Sequence, residues 1–125
     1  MNRPHVTVRA FRFAVSGALA TGVHVAVAAA MLKLFLLGPA VANGIAFAVA
    51  TVGSFVVNTT WSFASRMDAA RLLRFVVVSL VGCGLAMAVA AIAEAAGFGP
   101  WTGIGFVVLL VPPVNFVLHN AWTYR

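Results

Sequence analysis

The chain has 125 residues, of which 63% are hydrophobic and 8% charged, with eight basic residues against two acids and a net charge of +6. Soluble domains carry about 25% charged residues, and a chain this short cannot hide so much apolar surface in a core of its own, so a soluble globular fold is excluded. The basic residues flank apolar runs rather than forming one polar face, which argues for membrane topology over nucleic-acid binding.

Four apolar runs, at 13–32, 40–61, 75–93 and 101–121, each approach the roughly 20 residues that a helix needs to cross a bilayer. Arg3, Arg9 and Arg12 precede the first run and give it the look of a signal peptide. Its length exceeds the roughly 7–15 residues of a signal core, and it has a repeat partner in the third run, so it is expected to be retained. His24 lies deep inside it. A turn at Lys33–Pro39, with Gly38-Pro39 as stop and start, leads to the second run, where Ala42, Ala46, Ala50, Ser54 and Asn58 recur at steps of four. The connection from Ser62 to Arg74 holds Arg66, Asp68, Arg71 and Arg74 and reads as a water-exposed loop with a short amphipathic turn over Ala69–Leu73. The third run contains Cys83 and ends at Glu94, before a turn at Gly97-Phe98-Gly99-Pro100. In the fourth run Gly103, Val107, Val111, Asn115 and His119 recur at steps of four, and Pro112-Pro113 predicts a broken hydrogen-bond ladder and a kink.

The chain says nearly the same thing twice. Arg12-Phe13 and Arg74-Phe75 each open an apolar run. The first half closes on Phe55-Val-Val-Asn58-Thr-Thr-Trp61-Ser-Phe63 and the second on Phe116-Val-Leu-His119-Asn-Ala-Trp122-Thr-Tyr124. With Trp61 laid over Trp122, Ser54 meets Asn115, Asn58 meets His119 and Phe63 meets Tyr124. This predicts an all-α membrane protein of four transmembrane helices, built as two helical hairpins over about 12–63 and 74–124. Seven of the eight basic residues fall before the first run, between the second and third, or after the fourth, and Lys33 alone lies on the other side. Both termini and the central loop are therefore expected in the cytoplasm, which makes the halves parallel repeats within one transmembrane domain over 1–125.

No phosphate-binding loop, metal-ligand cluster, acid pair or Ser-His-Asp set occurs, so covalent chemistry has almost nothing to work with and no enzyme, metal or cofactor is expected. The informative residues are polar groups inside the membrane, each costly there unless paired. Asn58, Asn115 and His119 serve either as interhelical hydrogen-bonding groups or as a shared site, and their recurrence in both halves favours the site. Trp61 and Trp122 read as interface anchors or as platforms for a sugar ring. Arg12 and Arg74 read as topology signals or as bidentate grips for a phosphate at the headgroup level. His24 is a neutral histidine bonded to another helix, or a functional group; its repeat equivalent is near Ala86.

The Arg-Phe starts, the closing box Ser54-Phe-Val-Val-Asn58-Thr-Thr-Trp61-Ser-Phe63 and its echo Asn115-Phe-Val-Leu-His119-Asn-Ala-Trp122-Thr-Tyr124 resemble the GtrA-like family of small bacterial membrane proteins across residues 12–124. The resemblance implies a multi-pass protein of the bacterial inner membrane that translocates a polyprenyl-phosphate-linked monosaccharide, typically glucose or arabinose, to the outer leaflet for cell-surface polysaccharide synthesis. The family often carries Arg where this chain has Thr59 and Asn120, which leaves a phosphate grip to Arg12, Arg74 or Arg66. It commonly carries an acid where this chain has His24. The substrate-binding set is then Arg12, Arg74, Asn58, Asn115, His119, Trp61, Trp122 and His24. The expected partners are the polyprenyl-phosphate sugar lipid, membrane lipids, a glycosyltransferase and further copies of the chain. A scaffold that recruits the glycosyltransferase is the first rival, and a small multidrug exporter, which needs a carboxylate in its first helix, is the second.

Overall fold

A computed structural model describes residues 4–37 and 39–125; Arg3 of the topology argument and Gly38 of the first turn lie outside the described residues. Four helices carry the chain: α1, Val6–Lys33; α2, Pro39–Val57; α3, Ala69–Ala95; and α4, Pro100–Leu118. Each of α2 and α4 runs on into a five-residue π segment, Asn58–Ser62 and His119–Thr123. All four spans are long and apolar enough to cross a membrane, and no strand occurs among the described residues. Only 6%, 28%, 17% and 11% of the four spans is buried. Most of their apolar surface therefore faces outward, which is tolerable only with lipid as the solvent. Helices are what such a solvent demands, because each satisfies its own backbone hydrogen bonds.

The chain divides into two compact units, Met1–Met67 and Asp68–Arg125, each a helical hairpin. In the first, Arg12 meets Trp61 and His24 meets Asn43, so positions rise along α1 as they fall along α2. The pair is antiparallel. In the second, Arg74 meets Trp122 and Gly103 lies against Ala93, with the same sense. The packing faces are the small-residue stripes. Ala42 and Ala46 are fully buried, Ala50 nearly so, and the stripe continues to a buried Asn58. In α4, Gly103, Val111 and His119 are the buried members of the equivalent row.

Local chemistry sets the helix ends. Asp68 has extended backbone angles, and its carboxylate accepts the Arg71 N–H at 2.8 Å, capping α3. At the other end Gly97, at φ 85°, donates to the Glu94 carbonyl at 2.9 Å while Phe98 donates to Ala93 at 3.0 Å. These two bonds are the Schellman pattern, in which glycine takes the left-handed backbone at no steric cost. Gly99 then precedes Pro100 at the first turn of α4, where a missing N–H costs nothing.

One expectation is corrected. Ala69–Leu73 is not a separate amphipathic turn but the first turns of α3, because Asp68 caps the helix there. Pro112 and Pro113 lie within α4, whose helical span runs through them, and both residues are exposed. Each proline removes a backbone N–H from the ladder and crowds the carbonyl four residues back, so the bend expected of α4 belongs at this point.

Candidate functional site: two arginine–tryptophan corners

Each hairpin ends in the same construction. The last turn of a helix leaves carbonyls without intrahelical donors. In the first hairpin the Trp61 carbonyl accepts from Arg12 Nη1 at 2.9 Å, and the guanidinium carbon stands 5.4 Å from the Trp61 ring centroid. In the second, Arg74 Nη1 donates to the Trp122 carbonyl at 3.4 Å, and its guanidinium stands 5.9 Å from the Trp122 ring. A cation at a helix C-terminus is favoured by the carbonyl ends and by the ring face together. That bond uses one of the five guanidinium donors. Trp61 and Trp122 remain 39% and 45% exposed, so the outer side of each ring is open.

Behind each arginine a polar ladder climbs the second helix of the hairpin. Asn58 donates through Nδ2 to Ser54 Oγ at 3.0 Å and accepts from Ser62 Oγ at 2.8 Å. His119 Nδ1 pairs with Thr123 Oγ1 at 3.0 Å, and its ring stacks on Phe75 with centroids 4.4 Å apart and planes 22° off parallel. Phe63 and Tyr124 close the two floors at 1% exposure. Phe13 meets Phe63 edge-on at 6.2 Å, and Tyr124 lies 6.1 Å from the His119 ring. Below each ladder the backbone widens into the π segment. Phe63 N–H reaches back five residues to Asn58, and Tyr124 N–H to His119, both at 2.9 Å. A wider turn lets both aromatic floor residues tuck under their ladders.

The predicted site residues thus gather as two sets. Arg12, Trp61 and Asn58 belong to one corner; Arg74, Trp122, His119 and Asn115 belong to the other. Asn58 and His119 are buried to 1% and 2% exposure and bonded within their own hairpins, so a ligand reaches neither until a corner opens. Asn115 Oδ1 is buried with no hydrogen-bond partner. His24 stands apart from both corners, its Nε2 3.2 Å from Asn43 Oδ1. Asn43, Ser62 and Thr123 were missed in the sequence. Ser62 and Thr123 continue the two steps-of-four stripes by one more position, which is the signal that identifies them; Asn43 is a polar residue in an otherwise apolar run.

Cavities accompany the hairpins. One of about 110 Å³ lies between α1 and α2 beside Ser16 and Ser54. Another of about 610 Å³ lies at the far end of α3 and α4, lined by Glu94, Phe98 and Gly103 among others. No group of three or more potential metal ligands occurs among the described residues.

The family model of the GtrA/DPMS transmembrane domain matches residues 12–124, from the first corner arginine to the second floor aromatic. No curated protein and no solved structure matches the chain.

Proposed function

Because the chain belongs to the GtrA/DPMS transmembrane-domain family, a family of membrane proteins that handle polyprenyl-phosphate sugars, we propose that it flips such a lipid, carrying one monosaccharide, from the cytoplasmic to the outer leaflet. The observation that carries this reading is the doubled corner, in which Arg12 and Arg74 are each fixed beside an exposed tryptophan at one end of a hairpin. Arginine recognises phosphate bidentately, and a half-open indole offers a flat apolar face to a sugar ring. The basic bias puts both corners in the cytoplasm of a bacterial inner membrane. The prenyl tail stays in lipid while the head group crosses along protein, which lowers the cost of carrying polar groups through hydrocarbon without ATP. Net direction comes from use of the sugar by glycosyltransferases outside, and a homo-oligomer widens a path that four helices cannot enclose.

The second reading is a scaffold that recruits the glycosyltransferase, and the burial of Asn58 and His119 inside their own hairpins favours it. Purified protein in vesicles carrying polyprenyl-phosphate glucose or arabinose on one leaflet separates the two. The flippase makes the sugar accessible on the other leaflet, and the Arg12→Lys/Arg74→Lys protein, with charge kept but the planar fork lost, does so at least tenfold more slowly. A parent that moves no lipid but captures a glycosyltransferase is the scaffold.

A further inference from the structure

The first hairpin carries polar groups that the second lacks: a buried Ser16 and, further along, a half-buried His24 paired with an exposed Asn43. Ser16 stands one turn, about 6 Å of rise, inside Arg12. It is 2% exposed, and its Oγ has no hydrogen-bond partner. The part-buried Ser79 of α3, by contrast, donates to the carbonyl four residues back at 2.9 Å, as the exposed Thr21 and Thr60 do at 3.0 and 2.7 Å. Ser16 belongs to the wall of the 110 Å³ cavity, with Leu19, Ala20 and Val23 on α1 and Gly53 and Ser54 on α2. The cavity is open on one side, and one water needs about 10–15 Å³, so it has room for the hydroxyl-bearing edge of a sugar. Ser54 Oγ already accepts from Asn58, which leaves its own O–H to donate. Beyond Val23 comes His24, bonded to Asn43. Arg12, Ser16 and His24 therefore mark positions 0, about 6 and about 18 Å along α1, out of a hydrocarbon thickness of about 30 Å. At the equivalent positions of the second hairpin stand Arg74, Val78 and Ala86, with Ile104 in the place of Asn43.

We propose that the cavity between α1 and α2 is a hydroxyl-binding subsite of the translocated head group. Ser16, turned about its Cα–Cβ bond into the cavity, and Ser54 exchange hydrogen bonds with a sugar hydroxyl once Arg12 holds the phosphate. The His24–Asn43 pair is the next station, so the crossing path runs along the first hairpin. This rests on the sugar-lipid reading above.

Titration of the purified protein in lipid nanodiscs tests it, with polyprenyl-phosphate glucose, polyprenyl-phosphate arabinose and unglycosylated polyprenyl phosphate as probes. The parent binds one of the glycosylated lipids more tightly than the bare phosphate. Ser16→Val, which installs the residue of the second hairpin, and the smaller change Ser16→Ala each cut that preference about five- to tenfold, the worth of one hydrogen bond. Both leave affinity for the bare phosphate unchanged, and Ser79→Ala changes neither. A parent without preference overturns the subsite. So does an unaltered preference in folded Ser16→Ala, which makes the cavity the seat of a resident water only. A Ser16-dependent preference in a parent that moves no lipid across vesicles upholds the subsite and overturns translocation; active translocation with a Ser16-independent preference does the reverse.

Discussion

His119 lies flat on Phe75, ring centroids 4.4 Å apart, while its Nδ1 pairs with Thr123 Oγ1 at 3.0 Å. In the first hairpin the matching place holds Asn58, which spans Ser54 and Ser62 instead. Two different side chains thus solve one problem, a polar ladder closed inside an apolar hairpin. Both ladders bind the last turn of one helix into the π segment from which the corner arginine takes its carbonyl.

Removing either ladder residue leaves buried hydroxyls unpaired. Asn58→Leu strands Ser54 and Ser62, and His119→Leu strands Thr123 and removes the stack. Each is expected to cost about 1–3 kcal/mol, read as a lowered Tm by circular dichroism in detergent. An unchanged Tm for both refutes a structural role. If the double variant still folds, normal sugar-lipid transport removes both residues from the path.

Gly82 and Asn115 form a volume pair. A Cβ built on Gly82 lies 2.8 Å from Asn115 Cγ, closer than real carbon atoms approach. The first hairpin has Ala20 and Ser54 at the equivalent positions, one side larger and the other smaller. The close atoms are the amide end of the Asn115 side chain, which must swing aside, so Gly82→Ala is expected to lose about 1 kcal/mol by overpacking, net of the better helix propensity of alanine. Gly82→Ala with Asn115→Ser is expected to recover most of it. Equal melting temperatures for the single and double variants count against the pairing.

The charge bias predicts sidedness. With the exposed Cys83 replaced by Ala, single cysteines at Met67 and Arg125 are expected to be shielded from impermeant thiol reagents in intact cells. A cysteine at Phe35, which is 63% exposed beyond the end of α1, is expected to react. Labelling at Met67 from outside reverses the topology and moves both arginine corners to the wrong leaflet.

The Arg71 backbone N–H, aided by the Arg71 guanidinium, holds the Asp68 carboxyl below its ordinary 3.8. A carboxylate whose folded-state value is depressed stabilises the fold above 3.8, and that contribution is lost as pH falls through the depressed value. Protection of the Arg71 and Leu72 amides, taken as exchange relative to the intrinsic rate at each pH, is expected to fall on acidification through that range. Asp68→Asn, which keeps an N-cap oxygen without the titrating charge, is expected to flatten the dependence. A profile identical in the two proteins excludes Asp68 as the source.

Much was legible in the sequence because lipid imposes simple rules. Run length and charge determined the four spans, and the matched Arg-Phe starts and aromatic boxes determined the doubling, down to the pairing of Asn58 with His119. The stripe Ala42–Ala46–Ala50 was readable as a packing face because a helix places every fourth residue on one side. Tertiary structure alone decided what each polar group does. That Arg12 and Arg74 cap Trp61 and Trp122 depends on carbonyls freed at helix ends some fifty residues away in the chain. The π segments bring Phe63 and Tyr124 back to Asn58 and His119, a backbone geometry that the matched boxes do not mark. His24 acquires its meaning from Asn43, Ser16 from having no partner, and Gly82 from the Asn115 amide against it. A periodicity names the face on which a side chain lies; only the neighbouring helix determines whether a bond, a cavity or a collision awaits it there.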